Sequence, residues 1–292
     1  MMRSWQHKIS TLEHWRPWQR LTCFLVVAIL SVIGYLALFG VLSHGKDLQT
    51  APAASIAPLL LAGVLLILNL IFLRAEGWSQ GAIGLDQPWR RICQFFTGFG
   101  FGCALVMVWA ILLTICMGIQ WHWARSFHLA GALPLLSFTL FLAASEELAY
   151  RGYLLLRMSR SHSALASAFI TSLLFTVMHL QGGVPWLNAM AGIFTCALVY
   201  SALVLRWSSV PLAIGFHAAN NVMQNLLGLR ESPMTILQPA GGHSAGGMLA
   251  LALVSVLNIG VFVVLWRGTH PHTGSAWTRK AIDSRVSKEL VN

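Results

Sequence analysis

Long apolar runs separated by short polar connections set the pattern of the chain. They lie near 21–42, 55–73, 95–119, 131–156, 163–181, 187–205, 209–228 and 247–266. A hydrocarbon layer of about 30 Å takes roughly 20 residues of helix at about 1.5 Å each, so every run approaches the length of a membrane span. The pattern predicts an all-α, polytopic transmembrane helical bundle with about eight spans. The first run is too long for the apolar region of a cleaved signal and lacks a convincing small-residue cleavage site. It reads as an uncleaved anchor, with the mature chain starting at or near Met1.

Composition agrees. With 57% hydrophobic and 10% charged residues and a mean hydropathy of +0.69, the chain lies outside the range of soluble globules. A disordered chain, a coiled coil and a nucleic-acid-binding domain are excluded on the same grounds. The net charge of +10 comes from basic residues scattered through short loops, a distribution that marks topology rather than a phosphate-binding face. Cys23, Cys93, Cys103, Cys116 and Cys196 are odd in number and lack CxxC spacing, so they suggest neither a disulfide framework nor a zinc knuckle.

Basic residues are retained on the cytoplasmic side. One side receives sixteen of them: Arg3, Lys8, Arg16, Arg20, Arg74, Arg90, Arg91, Arg151, Arg157, Arg160, Arg206, Arg267, Arg279, Lys280, Arg285 and Lys288. The other receives Lys46, Arg125 and Arg230. Both termini are expected in the cytoplasm, and an integral protein of the cell (inner) membrane is expected. Residues 1–20 carry Trp5, Trp15 and Trp18 among basic residues, which fits an interfacial amphipathic segment or a solvated tail with aromatic anchors. Gly241, Gly242, Gly246 and Gly247 loosen the stretch before the last run, and 267–292 forms a polar tail. No internal repeat is visible.

Ionisable residues inside apolar spans cost about 2.5–3.5 kcal/mol each on insertion scales and call for a reason. The fourth run, FLAASEELAYRGYLLLR, holds Glu146, Glu147 and Arg151; the fifth holds His179; the seventh holds His217, Asn220 and Asn221. Arg151 follows Glu147 by four residues, the favourable order for a helical ion pair, and Glu146 by five. Glu146 is thereby left without its nearest cation. Adjacent residues differ by about 100° around a helix, so the two carboxylates can take different roles. His217 and Asn221 share a face, as do Phe175 and His179. A lone transmembrane His is commonly an interhelical hydrogen-bonding residue. Two His, two Glu, an Arg and an Asn on three spans favour a functional site.

EELAYR (Glu146 to Arg151) resembles the EExxxR motif of the CPBP family, the CAAX proteases and bacteriocin-processing enzymes, also called the Abi or type II CAAX prenyl endopeptidase family. FTVMH (Phe175 to His179) looks like the family's FxxxH and HAANN (His217 to Asn221) like its HxxxN, in the family's order. The resemblance covers roughly 130–228. It implies a catalytic core over 130–228 with an intramembrane endopeptidase activity on a membrane-associated peptide or protein, while the N-terminal transmembrane helices over 21–128 and the C-terminal helix over 247–266 follow from the apolar runs and match nothing in the family. Glu146, Glu147, Arg151, His179, His217 and Asn221 are the implied catalytic residues, with Glu146 activating water. Peptide hydrolysis needs a base for the water, an electrophile for the oxyanion and a donor to the leaving amine. No Ser or Cys stands with these groups as a nucleophile, so direct attack by water is the economical route.

Glu146, His179, His217 and Asn221 could hold a divalent ion such as zinc, although HExxH spacing is absent. The same residues could act without metal. Counting about 1.5 Å per residue from the expected cytoplasmic ends, Glu146, His179 and His217 lie roughly 17, 24 and 12 Å deep. Tilt, a late helix start or a break near Gly182 and Gly183 must bring them together. Two other classes compete: a proton- or ion-coupled membrane transporter and a non-catalytic membrane scaffold. Reporter fusions after Leu42, Leu73 and Gly268 should read outside, inside and inside; an external signal after Gly268 would overturn the orientation.

Overall fold

In a computed structural model the chain is a bundle of helices, described for residues 14–43, 56–125, 127–230, 232–240 and 247–268. Most of the 1–20 segment, the glycine-rich stretch 241–246 and nearly all of the polar tail lie outside the described residues. The helices are α1 (Pro17–Ser43), α2 (Ile56–Ala75), α3 (Pro88–Met117), α4 (Leu129–Tyr150), α5 (Tyr153–Ser161), α6 (Ala164–Gln181), α7 (Thr195–Trp207), α8 (Val210–Leu226) and α9 (Gly247–Arg267). Local signals fix several ends. The His128 ring accepts from the Gly131 N–H, Ser163 from Ala166 and Ser209 from Leu212, each satisfying an orphan donor of a first helical turn. Gly118 closes α3 at φ 66°, a left-handed position that suits glycine.

Seven helical segments among the described residues are long and apolar enough to cross a membrane. The seventh of the eight expected runs falls outside this set through a shorter, more polar helix. Its helix, α8, has 17 residues, about 25 Å at 1.5 Å each. The polar residues His217, Asn220, Asn221, Gln224 and Asn225 lower its hydropathy, and their place is inside the bundle. There α8 lies along α3 at backbone contact distance. A Cβ on Gly98 would overlap the Leu212 carbonyl, one on Gly102 the Phe216 carbonyl, and one on Gly215 the Phe95 carbonyl. Small residues four apart let two membrane helices approach to this degree. At the end where α3 and α8 finish, β1 (Trp121–Trp123) and β2 (Leu237–Pro239) form a two-stranded antiparallel sheet, with Trp121 opposite Pro239 and Trp123 opposite Leu237.

The single span expected over 131–156 lies within Leu129–Ser161, and its helix breaks at Arg151 and Gly152 into α4 and α5. Gly152 leaves helical geometry at ψ −124°. The freed backbone groups are taken up by Asn69 of α2, a fully buried residue. Its amide donates to the carbonyls of Leu65 and Leu148, at 2.7 and 2.9 Å, and its Oδ1 accepts from the Tyr153 N–H. In hydrocarbon such groups cannot turn to water, so one side chain performs the repair. Phe24, Phe72 and Tyr153 then pack as a trio of rings with centroids 5.0–5.6 Å apart. The run at 187–205 differs as well, since a π-helical turn (Ala189–Phe194) precedes α7.

Asn69→Leu should lower stability by about 2–4 kcal/mol, because it leaves buried backbone groups on both sides of the break without partners. Gly152→Ala should also destabilise, since its Cβ would overlap Asn69 Oδ1. Thermal unfolding in detergent checks both. Melting temperatures equal to wild type would remove Asn69 from this role.

Candidate active site

The helix break follows directly on the acidic pair and decides what the two carboxylates meet. Glu147 is fully buried, and its Oε1 accepts from Arg151 Nη1 at 3.3 Å. The guanidinium, also without exposure, donates through Nη2 to the Ala197 carbonyl at 3.2 Å. Three rings surround it, with the Arg151 Cζ 4.6 Å from the centroid of Phe175, 5.3 Å from Tyr200 and 5.8 Å from Tyr150. Aromatic faces stabilise a desolvated cation that carries few hydrogen bonds. Arg151 Nε and Glu147 Oε2 have no hydrogen bond among the described residues, so this ion pair is strained in its polar accounting and depends on its one direct contact.

His217 joins the two glutamates. Its Nδ1 lies 2.9 Å from Glu147 Oε1 and its Nε2 lies 3.4 Å from Glu146 Oε2. A doubly protonated ring would donate to both carboxylates, and with Arg151 the four groups would sum to zero charge. The imidazole is held flat against Tyr200, at 4.6 Å and 19°, and edge-on to Phe175 at 5.9 Å. Glu146 keeps 23% side-chain exposure where Glu147 keeps none. Of the two acids, Glu146 alone keeps accessible surface.

His179 stands one ring away. Its Nδ1 is 2.9 Å from the Phe175 carbonyl one turn back, and its ring lies 4.4 Å from that of Phe175, the ring that also touches His217. Nε2 has no hydrogen bond among the described residues. Asn221 is half-buried and makes none either, whereas its neighbour Asn220 donates to Cys196 Sγ at 2.9 Å and Tyr200 Oη at 3.2 Å and accepts from Gln224. A helix break falls at Gly152, whereas the expected position near Gly182 and Gly183 is simply where α6 ends. Residues Phe175 to Gln181 remain helical within α6.

Glu146, Glu147, Arg151 and His217 are thus in direct contact, His179 adjoins them through Phe175, and Asn221 is on the same helix as His217 without touching the group. Sequence reading missed Tyr200, which contacts both His217 and Arg151. It named Asn220 without giving it a role and gave none to Cys196, both of which contact Tyr200. The i,i+4 spacings of Cys196 with Tyr200 and of Asn220 with Gln224 were visible signals.

Zinc would require three or more ligands converging on one point. Among the described residues no three His, Cys, Asp or Glu side chains form such a group. The reason is visible in the contacts: the two nitrogens of His217 face opposite ways, each toward its own carboxylate, and His179 Nδ1 faces backbone. The donor set does not fit a zinc site, and no step below passes through a metal.

A bundle of membrane-crossing helices with carboxylate, imidazole and guanidinium groups gathered inside defines a polytopic membrane protein with a buried polar site. Residues 128–223 match the family model described as Rce1-like, type II CAAX prenyl endopeptidase Rce1-like. By this segment, about a third of its length, the chain is similar to the CPBP/CAAX protease family. The match supports a membrane-embedded endopeptidase of the CAAX type. No curated protein and no solved structure matches the chain.

The two glutamates should separate by stability. Glu147→Gln leaves Arg151 buried without an anionic partner, a loss of about 3–5 kcal/mol, whereas Glu146→Gln should stay within about 1 kcal/mol of wild type. Thermal unfolding of the purified variants checks the difference, and equal losses would refute the division of roles.

Proposed function

We propose that this protein is an intramembrane endopeptidase that hydrolyses a membrane-associated peptide or protein with water activated by Glu146. The observation that carries the reading is the asymmetry of the acidic pair. Glu147 is committed to Arg151 and His217, while Glu146 touches His217 through one oxygen at 3.4 Å and keeps 23% of its side chain exposed. The family match supports the reaction class.

In the proposed reaction Glu146 takes a proton from water as the oxygen attacks the scissile carbonyl carbon. The resulting oxyanion is met by the Asn221 amide, and by His179 Nε2 only when the ring is doubly protonated, because its Nδ1–H is given to the Phe175 carbonyl. Glu146 then passes its proton to the leaving nitrogen as the C–N bond breaks, so water ends divided between the new carboxyl and amine. Glu147 and Arg151 act at one remove: through Nδ1 they fix the His217 ring, and its Nε2 aligns the Glu146 carboxylate. Tyr200 holds the ring plane. The substrate segment must be extended, because helical amides are paired and shielded in hydrocarbon. A soluble folded protein offers no such segment at membrane depth.

The sixteen-to-three distribution of basic residues supports cytoplasmic termini and residence in the cell membrane. Partners are then the substrate and the bilayer itself. A transporter or scaffold reading is separated from this one by a single assay.

Purified protein in detergent or nanodiscs should cleave a lipid-inserted peptide, and Glu146→Gln should reduce kcat/KM by about 10²–10⁴-fold. Chelator should leave the rate unchanged, and casein should be cleaved far more slowly. Wild-type activity in Glu146→Gln would remove the proposed base; transport without peptide-bond cleavage would make the protein a transporter.

A further inference from the structure

A second group of charges lies away from the site, where α1 begins, α2 ends and α5 crosses them. Glu76, just past α2, accepts the Tyr153 hydroxyl at 2.9 Å and pairs with Arg20 Nη1 at 2.7 Å and Arg157 Nε at 3.2 Å. Its carboxylate is thereby fully engaged. Arg157 is 9% exposed, yet its guanidinium makes no hydrogen bond among the described residues, and its Nε is buried without one. Arg160, one turn further along α5, is exposed and makes none either. Both lie over the same indole, with the Cζ of Arg160 4.0 Å and that of Arg157 6.0 Å from the Trp78 ring.

Five N–H donors per guanidinium, a shared aromatic platform and one saturated carboxylate leave an excess of positive charge with donors to spare. A tetrahedral oxyanion is the ligand that forked guanidinium donors fit best. We propose that Arg157, Arg160 and Trp78 form a binding site for a phosphate oxyanion, supplied by the headgroup of an anionic phospholipid. The position favours lipid over free phosphate. Arg20 donates to the Trp15 carbonyl, and Trp15 and Trp18 are exposed beside it, as aromatic residues are at headgroup depth. From there α1 presents Val26, Ile29, Leu30 and Ile33, each about half exposed, as a surface for an acyl chain. The basic residues of this end are those assigned to the cytoplasmic leaflet, whose anionic lipids attract such groups. Through Tyr153 the same cluster adjoins Asn69, so a bound headgroup would brace α5 below the helix break.

The test uses the full chain in detergent, incubated with short-chain phosphatidylglycerol, phosphatidylcholine or inorganic phosphate, with retained ligand read by native mass spectrometry. Phosphatidylglycerol should be retained at least tenfold more tightly than phosphatidylcholine. Arg160→Gln, an exposed change that folding tolerates, and Arg157→Gln/Arg160→Gln should lose that preference. Arg74→Gln/Arg90→Gln, which removes equal charge from the same side of the bundle, should keep it. Equal retention of the two lipids, or equal loss in both double variants, would overturn the site. Retention of inorganic phosphate as tight as that of phosphatidylglycerol would overturn the lipid source. None of these readouts depends on peptide cleavage.

Discussion

A guanidinium without water must be paired, and the Arg151–Glu147 contact is the constraint on which the interior of this bundle depends. Either charge alone in that position would cost several kcal/mol. The pair brings α4 to its end at Arg151, calls the aromatic rings of Phe175, Tyr150 and Tyr200 around the cation, and offers Glu147 to His217 of α8. Four helical segments are tied to one ion pair. Glu146 inherits its surroundings from that arrangement: it meets the far nitrogen of a histidine whose near nitrogen is already committed.

Such a centre requires helices to approach closely and one of them to stop. The approach is met by Gly98, Gly102 and Gly215, which let α3 and α8 run backbone to backbone and carry His217 inward. The stop is met by Asn69, which replaces the hydrogen bonds that α4 forfeits at Gly152. Neither device touches the polar groups of the site, yet both decide where those groups lie. In lipid, where association gains little from apolar burial, close packing and internal polar satisfaction take over the work that hydrophobic burial performs in soluble cores.

Two polar clusters therefore occupy one bundle with opposite electrostatics. The interior group sets two acids against one arginine and one histidine and leaves Glu146 partly exposed. The outer group of Arg157, Arg160 and Glu76 does not balance and sits among aromatic residues at the bundle end. Tyr153 and Asn69 connect the two through α5, so the segment after the glutamates is fixed from both sides.

Much of this was legible in the residues. Apolar run length announced the spans because hydrocarbon thickness imposes it directly, and the ion pair of Glu147 with Arg151 was readable because i,i+4 geometry belongs to any helix. The same arithmetic isolated Glu146. The helix break was not readable: EELAYRGYLLLR is apolar enough to continue, and only Asn69, far away in sequence, makes the interruption affordable. Tyr200 and Asn220 were hidden for the same reason, since a tyrosine or asparagine gains its role from the ring or thiol that another helix brings to it. The bridging of both glutamates by His217 also waited for the fold. Spacing along one chain places groups on a helix face, but which faces meet is decided by packing between helices, where three glycines and one buried amide set the distances.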